Sequence, residues 1–476
     1  MQTKSIDPLI LAIDQGTHAT RALLFLPQGE LVKQFHQDIH LKRIDNQRVE
    51  QDPLDILGSC GYVIREALGY AAEHGFTIQS AGLCTQRSTV VAFDRKTGTP
   101  LSTALSWQDT RGKALTDSLS AMALHIEKTT GLPLSPHFGA SKMRWLLEQQ
   151  KLRPGKEAGW LCIAPLAAYL VFQLTDAERV LVDLANGART QLMDWRTGDW
   201  APELLTLFGI PVEVLPTCRP MRSDFGRLRI GKIPLMAVNG DQGAALLARG
   251  PLTPGEACIN IGTGAFVAAV SQWPISGLLF SQIDAGEGRD WFACEGSVNG
   301  AGAALAWLAE IIKEPNLTFH LDTWLEQCAD PPIFLNYIGG LGSPWWRSDV
   351  ESRFLDVSMD QALADPIGAA CGVAESILFL LKSNLDHMQN TGLKITHLRV
   401  SGGLSQIHNL MRRMASLCQI PIHLDTIQES SSMGIAWQAS GALQPWPSGS
   451  DKIFRPHSDI NLQKRYGRFI EALGSK

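Results

Sequence analysis

A chain of 476 residues, 45% hydrophobic and 19% charged, is too long for one core and has the composition of a globular protein of two or three domains. A net charge of −5 lacks the basic footprint of a nucleic-acid binder, and no apolar run reads as long enough to cross a membrane. The nine cysteines are scattered without a C-x-x-C pair, and the opening residues carry no signal-peptide pattern, so a reducing cytoplasm is expected and a disulfide framework or zinc site is not.

The first predicted elements are strands at 9–14 and 21–26, joined by a polar turn that starts at Asp14 and ends at Arg21. Gly16 admits positive φ and close backbone approach, while the hydroxyls and amides around Thr17 can donate to phosphate oxygens. Asp14 has the hard oxygen donors that suit Mg²⁺. A plain structural turn is the competing reading. A third strand is expected at 31–39. Asp52-Pro53 is a helix start, and helical spacing runs over 53–73. Short strands at 79–84 and 88–93 flank Thr85-Gln86-Arg87. Helices are expected at 139–150 and 160–175, with a short amphipathic stretch at 201–209.

A second series begins at Leu235–Val238, which runs into Asn239-Gly240-Asp241-Gln242-Gly243 and an alanine-rich helix. Ala257–Ile261 is then a strand, Gly262-Thr263-Gly264 a turn and Phe266–Val270 the returning strand. This repeats the opening hairpin about 245 residues later and suggests a duplicated domain with a boundary near 250. Helices follow at 301–312, 366–390 and 408–418, and the strand Leu398–Val400 ends at Ser401-Gly402-Gly403.

In order and spacing, several segments resemble the FGGY family of sugar and polyol kinases: Asp14-Gln-Gly-Thr17 with Arg21, Glu50-Gln-Asp52-Pro53, Gln86-Arg87, Trp107-Gln-Asp109-Thr-Arg111, Lys142-Met-Arg-Trp145, Gly240-Asp241-Gln242, Gly262-Thr263-Gly264, Gly402-Gly403 and Glu429-Ser430. The motifs are most similar to those of the family's glycerol kinases. The resemblance implies an α/β fold of two actin-like, ribonuclease H-like ATPase domains flanking a nucleotide cleft. Residues 1–250 would bind the polyol and supply the base, and residues 251–476 would bind ATP.

By the same resemblance Asp241 is the catalytic base, against the local alternative of a helix N-cap. Asp14, Gly16, Thr17, His18, Arg21, Gly262, Thr263 and Gly264 would hold ATP, with Asp14 also holding Mg²⁺. Gly402 and Gly403 would lie against the purine. The acceptor would meet Arg87, Ser88, Trp107, His137, Asp241, Gln242 and Phe266. Without the resemblance, Arg87 reads as a surface ion pair, Trp107 as a core aromatic and His137 as a satisfied polar residue.

Three positions depart from the glycerol kinase pattern. Ser88 stands where the family has Glu, His137 where it has Tyr, and Ser401 where it has Asp. Ser88 has less reach and acceptor capacity than a carboxylate, and it vacates volume. A polyol or ketose larger than glycerol is therefore admitted, such as xylulose, ribulose or a tetritol. A superfold ATPase without sugar kinase activity, or a degenerate kinase-like binding protein, remains the alternative. Partners are expected to be a small polyol or sugar, with neither nucleic acid nor membrane, and the family admits a homodimer or homotetramer.

Overall fold

The run Pro8–Gln15 forms strand β1, and Leu9 through Ile13 are all buried, as for a strand covered on both faces. Strand β2 (Ala19–Phe25) returns antiparallel to it, with Asp14 opposite Arg21. Strand β3 (Leu31–Asp38) pairs antiparallel with β2 and is mostly exposed, its polar residues suiting a sheet edge. Strands β4 (Thr77–Thr85) and β5 (Leu235–Gly240) run parallel to β1, giving the order β5-β4-β1-β2-β3. The structure is a computed structural model that describes residues 8–286, 289–425, 427, 429–447 and 452–474.

The helix Pro53–Glu73 starts where the sequence places it. Asp52 accepts from the Leu54 amide at 2.9 Å, and Pro53 occupies the first turn. Ile56, Cys60, Val63, Ile64, Ala67 and Ala71 form its buried stripe against β2 and β3. A smaller sheet takes its strands in the order Lys42–Arg43, Val49–Gln51, Ala104–Leu105, Val90–Asp94 and Leu161–Pro165. The link between β4 and this sheet therefore carries Gln86, Arg87 and Ser88, while Trp107 follows the Ala104–Leu105 strand.

The second sheet contains β6 (Glu256–Ile261), β7 (Ala265–Val270), β8 (Leu279–Gly286), β9 (Arg289–Val298), β10 (His397–Ser401), β11 (Ile422–Leu424) and β12 (Lys452–Phe454). Its order is β8-β9-β7-β6-β10-β11-β12. Strands β6, β7 and β9 form an antiparallel meander, and β10 and β11 extend it parallel to β6. The run β9-β7-β6-β10-β11 thus repeats β3-β2-β1-β4-β5, so the echo between the two hairpins extends to whole sheets.

The contacts divide the chain into two units. The first comprises Met1–Leu252, Phe280–Phe292 and Glu429–Pro447; the second holds Thr253–Leu279, Ala293–Gln428 and Ser448–Lys476. A cut near 250 thus marks only the first crossing. Residues 160–175, expected as one helix, are the strand Leu161–Pro165 followed by the helix Leu166–Leu174. Every residue from Leu161 to Val171 is buried, and such a run has no period to separate strand from helix. Contrary to the expectation from sequence, the helix Pro366–Asn390 is long and apolar enough to cross a membrane by length and composition. It is buried in the second unit, where Glu375 pairs with Arg413 and with Arg465 at 2.7 Å.

Candidate active site

Strands β1, β4 and β5 are parallel and end together, with Asp14 beside Cys84 and Cys84 beside Asn239 in register. The carboxyl ends of parallel strands are where α/β sheets bind ligands, because the strand ends leave a crevice lined by the following loops. Asp14 accepts from the Cys84 thiol at 3.4 Å and from the Ser432 hydroxyl at 3.2 Å. Burial, and then the negative charge of Asp241, push the Asp14 carboxyl up to about 6; Arg21 opposes them. The two carboxylates therefore share one electrostatic environment.

Asp241 opens the helix Asp241–Leu246 directly after β5. The capping position belongs to Gly240. The Asp241 Oδ1 accepts from the Gln242 amide at 2.8 Å and lies 3.7 Å from Arg87 Nε. The carboxylate is one-third exposed while the guanidinium is largely buried. Gln242 Oε1 is buried without a hydrogen-bond partner, an orphan that an incoming hydroxyl would satisfy.

A closed ring of hydrogen bonds joins the first turn to Trp107. Gln51 Nε2 donates to the Thr17 carbonyl at 2.9 Å, and Gln86 Nε2 donates to Gln51 Oε1 at 3.0 Å. Thr89 donates to Gln86 Oε1 at 3.0 Å, and the Trp107 amide donates to Thr89 Oγ1 at 3.0 Å. The Trp107 indole closes the ring by donating to Thr17 Oγ1 at 2.9 Å. Thr17 accepts in that bond, so its own hydrogen is left to donate outward. Trp107 is 42% exposed and is not a core aromatic.

The His137 Nδ1 lies 3.2 Å from the Trp107 carbonyl. A carbonyl only accepts, so Nδ1 carries the hydrogen and Nε2 presents a lone pair. Burial lowers the imidazole pKa, keeping the ring neutral near pH 7. Ser88 is buried and adopts a φ of +65°, a left-handed conformation uncommon for residues with a side chain. The structure thus gathers Asp14, Thr17, Arg87, Ser88, Trp107, His137, Asp241 and Gln242 in the first unit. Gly16 and the exposed His18 complete the first turn, where the Gly16 amide donates to the Ala19 carbonyl at 2.9 Å.

Arg21, expected at the nucleotide, forms an ion pair with Glu429. That pair engages Glu429, the N-cap of the helix Ser430–Ala439, which packs against β1 and β4. Cys84 and Ser432 went unrecognised in the sequence, since a lone thiol and a lone hydroxyl carry no pattern, and Gln51 stood within the Glu50–Pro53 motif without a role of its own. Asp109 and Arg111 are structural. Arg111 binds Asp109 at 2.7 Å and Glu50 at 2.5 Å, and its guanidinium lies 4.5 Å from the Trp145 ring.

In the second unit Gly262-Thr263-Gly264 is a three-residue turn like Gly16-Thr17-His18, closed by the Gly262 amide on the Gly264 carbonyl at 2.9 Å. Thr263 is exposed, its carbonyl accepting from the Ala303 amide at 2.9 Å. Phe266 follows, half-buried on β7. Gly402 has a φ of +94°, and a Cβ there would lie 2.6 Å from the Ile261 carbonyl, so packing inside the unit already demands glycine. Gly403 faces open space.

Two sheets of one topology, each ending in a Gly-Thr hairpin turn, define the actin-like ATPase fold. The chain belongs to the FGGY family of carbohydrate kinases: the family's N-terminal domain model matches residues 9–248 and its C-terminal domain model matches 257–443. It is 31% identical to a glycerol kinase of Rippkaea orientalis over 96% of this chain and 95% of that one. It is 33% identical to a glycerol kinase of Thermus brockianus over 91% and 90%. Among solved structures, the glycerol kinase of Plasmodium falciparum with ADP superposes with a TM-score of 0.87 at 25% identity, covering 98% and 97%. A xylulose kinase of Brucella ovis superposes with 0.86 at 23% identity, covering 98% of both chains, and shares the fold. The protein is an ATP-dependent kinase of a small sugar or polyol.

Proposed function

We propose that the acceptor is a polyol or ketose whose primary hydroxyl lies against Asp241, with its other hydroxyls at Arg87, Ser88, His137 and Gln242, and its carbon chain on Trp107. The observation that carries this reading is the Arg87–Asp241 pair at the end of β5, beside the orphaned oxygen of Gln242. The relatives named above phosphorylate glycerol by their names, and glycerol belongs among the candidates. Two positions redistribute hydrogen-bond acceptors relative to the glycerol kinase pattern that the motifs resemble. Ser88 removes a carboxylate, and neutral His137 offers an Nε2 lone pair to a hydroxyl. A substrate longer than glycerol would use both the volume at Ser88 and the acceptor at His137.

Phosphoryl transfer depends mainly on position and on charge stabilisation. Asp241 takes the proton of the attacking hydroxyl while a bond forms from that oxygen to the γ-phosphorus and the bond to the ADP oxygen breaks. Within its own unit, each of the Gly-Thr turns, Gly16-Thr17-His18 and Gly262-Thr263-Gly264, carries backbone amides and a threonine hydroxyl of the kind that donates to phosphate oxygens. The open backbone at Gly403 accepts the purine. Asp14 and Asp241 are hard oxygen donors, and the raised proton affinity of Asp14 marks a place where a cation lowers the energy. Among the described residues no cluster of three or more His, Cys, Asp or Glu side chains could hold a metal by itself. That fits Mg²⁺, which one or two carboxylates and nucleotide phosphates commonly hold, and which supplies charge neutralisation of the phosphates when bound. The nine free cysteines support a cytoplasmic setting.

The test is an ADP-release assay with glycerol, erythritol, ribitol, xylitol, D-xylulose and D-ribulose, run on the native protein and on Asp241→Asn. Turnover with one acceptor, abolished in the variant while ADP still binds, is the expected result. ADP release independent of every acceptor, or a variant of near-native rate, would overturn the assignment.

A further inference from the structure

Lys142 lies in the helix Gly139–Leu147 and is completely buried. Lysine is rarely buried unless its ammonium is fully paired. Here Nζ donates to three backbone carbonyls: Ser88 at 2.7 Å, Ser106 at 2.9 Å and His137 at 2.8 Å. These use all three ammonium hydrogens. The acceptors come from three separate segments of the chain. Ser88 and His137 are themselves assigned to the acceptor site, and Ser106 immediately precedes Trp107.

The contact at Ser88 engages a strained residue. With φ at +65°, Ser88 holds a conformation that is unfavourable for a residue with a side chain and persists only where its surroundings enforce it. The ammonium binds the carbonyl of that residue. Its charge environment is also enclosed. Burial pushes the lysine pKa down to about 7, Asp109 opposes the shift and Arg111 adds to it. Asp109 is fully buried, and Arg111 spans Asp109 and Glu50 and rests on Trp145, one turn along the helix from Lys142. The Trp107–Arg111 and Lys142–Trp145 motifs are thus one assembly behind the acceptor residues.

We propose that Lys142 is a positioning residue for the acceptor, its ammonium joining the backbones of Ser88, Ser106 and His137 into a single binding surface. The inference rests on the acceptor assignment made above. An apolar side chain could fill the same space, but it would remove all three bonds, leaving the Ser106 carbonyl with only the Asp109 amide at 2.9 Å and the three segments free to separate. Displacing acceptor-site segments by about 1 Å is enough to cost on the order of 100-fold in a positioned reaction.

Four variants of the full chain decide the matter: Lys142→Met, Lys142→Gln, Trp107→Ala and Met143→Ala. Lys142→Met keeps an unbranched side chain one atom shorter and removes every donor, whereas Lys142→Gln restores two. Met143 is buried one residue further on the same helix, in the adjoining hydrophobic cluster, and controls for general loosening. The readouts are acceptor KM, ATP KM, kcat and thermal unfolding. Lys142→Met should raise acceptor KM about 10- to 100-fold with ATP KM within about threefold, Lys142→Gln should recover part of the loss, and Met143→Ala should lower Tm without that split. If Trp107→Ala leaves acceptor KM unchanged, the acceptor assignment fails and this proposal with it. If Trp107→Ala raises acceptor KM but Lys142→Met does not, or Met143→Ala gives the same split, the positioning role alone is refuted. Failure of both Lys142 variants to fold would refute it as well, since Lys142 would then be a fixture of the core.

Discussion

Replacing Asp14 by asparagine removes a charge that the folded protein holds at a cost. In the native state burial and the charge of Asp241 hold this carboxyl at about 6, against an ordinary value of 3.8. The native state therefore keeps its proton at pH values where the unfolded chain has released it, and stability falls as pH rises from about 4 to 6 and stays lower above that. The difference corresponds to a ceiling of about 3 kcal/mol at pH 8, at 1.36 kcal/mol per pKa unit. Asparagine has nearly the same shape and no charge, and it can still accept from Ser432 at one oxygen. Thermal unfolding of the nucleotide-free protein should show Asp14→Asn and the native protein alike near pH 3, below both values of the carboxyl. At pH 8 the variant should unfold higher by about 3–8 °C. Adding Mg²⁺ and ADP should narrow or reverse the gap, because the native carboxylate then meets a cation. A variant that is equally or less stable at pH 8, or a gap that does not grow with pH, would refute the electrostatic reading of this strand end.

Three further outcomes follow from particular surroundings. Acceptor KM should rise about tenfold as pH falls through the lowered His137 pKa, since protonation of Nε2 removes its lone pair, and His137→Asn should flatten that rise in a KM–pH profile. Gly434→Ala should cost about 3 kcal/mol or more in denaturant unfolding, because its Cβ would lie 1.8 Å from the Ala244 carbonyl. Gly69→Ala, in the helix Pro53–Glu73 with nothing within 4 Å of the added carbon, should instead stabilise by up to about 1 kcal/mol.

Local chemistry made much of the fold readable. Asp52-Pro53 states where a helix begins, and a 3- to 4-residue apolar stripe carries it to Glu73. The two Gly-Thr turns between short apolar runs announce the hairpins on which both sheets are built. The boundary at Pro165–Leu166 was hidden because burial on all sides erases periodicity. The ion pair of Arg21 could not be read from the sequence, because its partner, Glu429, lies 408 residues away. Lys142 looked like one basic residue of a helical motif. Its meaning lies in three carbonyls, and carbonyls belong to every residue, so no side-chain pattern could point to them.

The return of Glu429–Pro447 to the first unit bears on how the protein is made. Ser432, which reaches Asp14 from 418 residues further along the chain, belongs to a helix that approaches β4 so closely that a Cβ on Gly82 would lie 2.6 Å from the Ile435 carbonyl. No ribosome-bound chain can complete the first unit until that helix has emerged. The nascent protein must carry the uncovered surface of β1 and β4 through most of its synthesis, exposed to chaperones and to aggregation. A fragment ending near residue 250 would keep that surface bare, so the unit that begins the chain is among the last parts to be finished.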